Sequence, residues 1–121
     1  MTTEALRQID ERLAPGTYEA LKEQWSAFVD QLDHYPFSIY DYDNDIDSRA
    51  LIAEVTADLT VDVQVSVWED LHPLDAKFIT KTNQQPRRKY PLNAWHSRLP
   101  KKPGEELTSD MEAEQAKNDV P

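Results

Sequence analysis

The stretch YDYDNDID, residues 40–47, sets Asp41, Asp43, Asp45 and Asp47 at alternate positions among Tyr40, Tyr42, Asn44 and Ile46. Carboxylates this close can ligate a hard cation, face a cationic partner, or serve the free amides that open a helix. A calcium loop needs oxygen ligands at positions 1, 3, 5 and 12, with glycine at position 6. Counted from Asp41, position 6 is Ile46 and position 12 is Ile52, and the pattern fails. Counted from Asp43, the ligands are Asp43, Asp45, Asp47 and Glu54, but Ser48 replaces the glycine. The turn at such a serine costs about 1 kcal/mol. A calcium-binding module at Asp43–Glu54 is therefore the alternative reading; the leading expectation is no metal and no cofactor.

Capping explains part of the cluster. Asp45, Asp47 and Ser48 stand just before SRALIAEVTAD, residues 48–58, where Leu51, Ile52 and Val55 share a helical face. One or two carboxylates satisfy a helix N-terminus. The excess points to a partner. Asp30, Asp33, Asp41, Asp43, Asp45, Asp47, Asp58 and Asp62 lie within residues 30–62, where Arg49 is the single basic residue. Such a face raises association rates with a basic protein surface and repels nucleic acid. Inhibitors that imitate DNA phosphates, immunity proteins and secretion chaperones use surfaces of this kind. Trp68 is a further candidate anchor if it is exposed.

Charge is segregated along the chain. Residues 1–75 hold 17 acidic and 4 basic residues; residues 76–104 hold 8 basic and no acidic residue; residues 105–121 hold 6 acidic residues and Lys117. The basic block contains Arg87, Arg88, Lys89, Tyr90 and Trp95, a mixture of cations and stacking surfaces that suits single-stranded nucleic acid. Nucleic-acid binding through residues 77–102 is thus another alternative, disfavoured by the net charge of −10. Docking of this arm on the acidic domain, or on a second copy as a homodimer, fits the charges better.

Catalytic signals are few. His34, His72 and His96 form no i, i+4 pair, and Gly16 and Gly104 cannot build a phosphate-cradling loop. A non-enzymatic protein is expected.

The positioning elements follow from periodicity. Leu6, Ile9 and Leu13 predict a helix over 3–13, ended by Pro15-Gly16. Tyr18, Leu21, Trp25, Phe28, Val29 and Leu32 predict a second over 17–33. FSIYDY, residues 37–42, reads as a short strand, and residues 48–58 as the third helix. In LTVDVQVSV, residues 59–67, Leu59, Val61, Val63, Val65 and Val67 alternate with polar residues, the pattern of a half-buried strand. AKFITKT, residues 76–82, would be its antiparallel neighbour.

Prolines 86, 91, 100 and 103 punctuate the following segment. The expected organisation is a small α+β domain over 1–83, with three helices on a short antiparallel sheet. A basic Pro-rich extended arm (84–103) and an acidic disordered tail (104–121) follow. An all-α fold is the alternative, if 48–82 is helical throughout. The 121 residues lack cysteine, any apolar run of membrane-spanning length and any secretory pattern at the N-terminus, so a cytoplasmic location away from membranes is expected. The functional expectation is a small acidic interaction or regulatory protein that binds a basic surface.

Overall fold

The computed structural model describes residues 1–118. Helix α1 spans Thr3–Leu13, α2 Tyr18–Asp30, α3 Ile39–Thr56, α4 Val61–Lys81 and α5 Glu105–Asn118. Strands β1 (Thr82–Gln84) and β2 (Arg98–Pro100) pair antiparallel in the register Thr82 to Pro100 and Gln84 to Arg98. The protein is mostly helical with a small sheet.

Polar side chains start the first four helices. Thr2, Thr17 and Thr60 accept the amides of Ala5, Ala20 and Val63. At α3 the Ser38 hydroxyl accepts the Asp41 amide while Asp41 accepts the Ser38 amide, a reciprocal capping box. Two apolar clusters form the core. Trp25, Phe28, Tyr35, Tyr42, Ile46, Phe78, Leu99 and Leu107 join α2, α3, α4, β2 and α5. Ala5, Ile9, Tyr18, Ile52, Val63, Val67 and Leu71 join α1, α2, α3 and α4. Leu74 packs against both.

Several sequence expectations are corrected. Residues 37–42 are not a strand, because the Ser38 box starts α3 there and carries it through YDYDNDID. The valine alternation is not a strand either. Val63, Val67 and Leu71 recur at helical spacing and bury against Ile9, Tyr18 and Ile52. The expected second strand up to Lys81 and the loop before it belong to the same 21-residue helix, which runs through Pro73; Thr82 alone of that segment lies in a strand. An internal proline costs about 3 kcal/mol. Burial of Leu71 and Phe78 on either side offsets this at about 1.5–3 kcal/mol each. Residues 48–81 are thus helical apart from the turn between α3 and α4, close to what the all-α alternative requires, yet a small sheet begins at Thr82.

The arm over 84–103 packs on the domain and is not extended throughout. It supplies a turn bridging Arg87 and Tyr90, a 3₁₀ turn at Trp95–Ser97 and β2. The disordered tail is corrected as well: Leu107 is buried and anchors α5, while residues 119–121 of that expectation lie outside the described residues.

Candidate interaction surface

Helix α3 sends its aspartates to four different partners. Asp41 completes the cap at Ser38. Asp43 accepts two hydrogen bonds from Arg87, at 2.6 and 2.9 Å. Asp45 accepts the Tyr35 hydroxyl at 2.6 Å, and Asp47 Oδ1 lies 2.7 Å from His96 Nε2. Glu54 is exposed further along the helix. The calcium register Asp43, Asp45, Asp47 and Glu54 is therefore corrected: these residues ride a continuous helix and do not converge as a loop would make them. Among the described residues no group of three or more His, Cys, Asp or Glu side chains is arranged to hold a metal.

The basic arm occupies part of the acidic face. The Arg87 side chain, 2% exposed, joins Asp43 on α3 to Glu114 on α5, and also donates to the His96 carbonyl. Burial pushes the guanidinium toward losing its proton, but the hydrogen-bonded carboxylates of Asp43 and Glu114 together outweigh it and hold the group protonated. Tyr90 stacks on His96 with ring centroids 4.4 Å apart, and the Arg87 guanidinium lies over the Tyr90 ring, 4.9 Å from its centroid. Trp95 packs against Trp25 and Phe78, with Arg49 4.4 Å from its centroid. Both aromatic rings of the arm are thus engaged within the fold. Arg88 and Lys89 remain exposed, beside a cleft of about 280 Å³ that also includes Tyr40, Asp110 and Lys117.

A buried ion pair lies behind this contact. Asp75 accepts Arg49 through both oxygens at 3.0 and 2.9 Å and also accepts Trp25 Nε1 at 3.0 Å. The sequence reading missed it. Arg49 as the lone cation of an acidic run was the available signal, since a buried charge needs a partner.

The remaining expected residues lie around the turn from α3 to α4. Asp58 accepts Arg12 through both oxygens at 2.7 Å, which holds its carboxyl below the usual range. Asp62 and Glu69 are exposed, and their side chains meet no cation among the described residues. Trp68 is 58% exposed and rests against His72, centroids 4.5 Å apart. It edges a shallow depression of about 210 Å³ lined by Arg49, Ala53, Thr56, Ala57, Gln64 and Val67. An exposed tryptophan beside unpaired carboxylates offers an aromatic anchor with electrostatic selection for cations. The structure therefore separates the expected acidic face in two: Asp43 and Asp47 bind the chain's own arm, while Asp62 and Trp68 face solvent.

No described helix is long and apolar enough to cross a membrane. No protein-family model, curated protein or solved structure matches this chain.

Proposed function

We propose that this is a non-enzymatic interaction protein, of the inhibitor, immunity or chaperone kind, whose acidic face engages a basic protein surface. The observation that carries this reading is Trp68, a large ring left 58% exposed on the same helix as the exposed carboxylates Asp62 and Glu69. Tryptophan is enriched among residues that dominate binding energy, and carboxylates around it steer cationic partners. The net charge of −10 acts in the same direction at longer range.

The experiment is a comparison of two baits against extract of the native host. One is the natural chain; the other carries Trp68→Ala, Asp62→Lys and Glu69→Lys. A basic protein retained by the first bait, released by raised salt and absent from the second is the expected result. Identical capture by both baits would place the contact elsewhere and refute this surface.

A further inference from the structure

The geometry points to a basic amphipathic helix as the occupant of the outer face of α4. This rests on the interaction reading above and names the chemistry of the partner. Helix α4 is apolar on two sides. Val63, Val67, Leu71 and Phe78 face the core. On the outside, Val61, Val65, Trp68, His72, Ala76 and Ile79 follow one another at steps of three and four residues, and all six are exposed. At 3.6 residues per turn such steps make one nearly straight stripe. With a rise of 1.5 Å per residue, the stripe runs about 27 Å from Val61 to Ile79.

A second exposed apolar stripe beside the core face is surface that a partner can cover. The exposed members are large: Val61 is 72% exposed, Val65 47% and Ile79 50%. A long strip about one side chain wide fits a second helix laid along it, whose own residues recur at the same spacing. Charge selects which helix. Asp62 and Glu69 stand one position after Val61 and Trp68, on the same side of the stripe, and neither side chain meets a cation among the described residues. Lysines or arginines beside the partner's apolar residues would meet them. A second copy of this chain would bring a net charge of −10 to meet the same net charge, and like charges across an interface oppose association.

Two synthetic peptides of about 20 residues, matched to the stripe by the helical rise, provide the test. Both contain the same leucines and lysines. In one the leucines recur at three and four residues; in the other the order is permuted so that no apolar face forms. Titration calorimetry should give at least tenfold tighter binding for the amphipathic peptide. Val65→Asp and Trp68→Ala should each weaken that binding at least tenfold while leaving the melting temperature of the protein in place. Replacing the peptide's lysines by glutamates should abolish it.

Equal affinity for the permuted peptide overturns the helix inference and leaves the broader acidic-surface reading standing. No binding of either basic peptide counts against both. Self-association in sedimentation that Trp68→Ala removes would make a second copy the occupant, and would equally overturn the inference. The peptide comparison needs no variant protein, so it stands even if a substitution disturbs folding.

Discussion

Arg87 and Asp43 meet as a two-bond fork, Nη1 to Oδ1 at 2.6 Å and Nη2 to Oδ2 at 2.9 Å, across 44 residues of chain. Through Nε and Nη2 the same guanidinium reaches Glu114 at 2.6 and 3.0 Å. One buried cation therefore ties the arm, α3 and α5 together.

Removing it leaves two neighbouring carboxylates without their shared partner. Arg87→Ala is expected to destabilise the protein by about 3–5 kcal/mol, the usual cost of breaking a buried pair. Lys77→Ala, which removes an exposed contact with Asp30 at 3.3 Å, should cost less than about 1 kcal/mol. Urea unfolding of the two variants makes the comparison; similar midpoints would show that the Arg87 contact contributes nothing special.

The two tryptophans Trp25 and Trp68 should behave oppositely. Trp25 is wholly buried and stacks with Phe28 at 5.5 Å, so Trp25→Ala should cost about 3–5 kcal/mol. Trp68→Ala should change stability by no more than about 0.5 kcal/mol, as exposed substitutions do. Thermal unfolding decides. A large loss at Trp68 would mean that the ring serves the fold and not a partner.

How this contrast was hidden in the sequence is instructive. The first two helices were legible, because Leu6, Ile9 and Leu13, and then Tyr18, Trp25 and Phe28, each follow a single stripe. In α4 two stripes are apolar. Val63 and Val67 serve the core, Val61 and Val65 face outward, and together they imitate the alternation of a strand. Polar residues at 61 and 65 would have shown a plain helix. The α3 start was readable from Ser38 and Asp41, which have capping-box spacing, but the neighbouring aromatics suggested a strand. Charge segregation announced the attraction between arm and domain. It could not say that Asp43 pairs with Arg87 while Asp62 does not, since that depends on packing between distant segments.

Backbone geometry gives a third expectation. His34 adopts φ 61°, and its amide donates to the Lys102 carbonyl at 2.7 Å. Gly104 lies beside the same turn, where an added Cβ would stand 2.4 Å from the Tyr35 carbonyl oxygen. Gly104→Ala should therefore cost about 1–3 kcal/mol through overpacking. His34→Gly should stay within about 1 kcal/mol of the natural chain, since relief of left-handed strain is offset by the entropy of a freer unfolded chain. Chemical denaturation of both variants checks the pair; an alanine tolerated at 104 would contradict it.

Stability should fall on both sides of neutrality. Burial raises the tyrosines Tyr18, Tyr35 and Tyr42 above their ordinary range, and the Asp70 and Asp45 carboxylates that accept Tyr18 and Tyr35 add to it. Folded values above unfolded ones mean that the contribution is complete below about pH 10 and is lost as pH rises beyond it. Three such groups set a limiting slope of about 4 kcal/mol per pH unit. On the acid side, partial burial pushes Asp70 up, but hydrogen bonds from Tyr18 and Lys22 outweigh it and hold the carboxyl below its usual value. Its contribution is present above about pH 4 and is lost as pH falls through the depressed value. Unfolding free energies across the pH range test this, with tyrosinate absorbance following the alkaline limb. Tyrosines that ionise near pH 10 in the folded protein would contradict the alkaline half.

The Asp110 carboxylate accepts the Ile39 amide at 3.0 Å, so a residue of α5 serves the first turn of α3 from 71 positions downstream. During synthesis, α3 emerges long before that acceptor exists. A nascent chain stopped short of α5 leaves the Ile39 amide without this acceptor, Arg87 without Glu114 and the core without Leu107. Helix α5 thus acts as a clasp: the opening turn of α3, the arm and the aromatic core each depend on it for one contact.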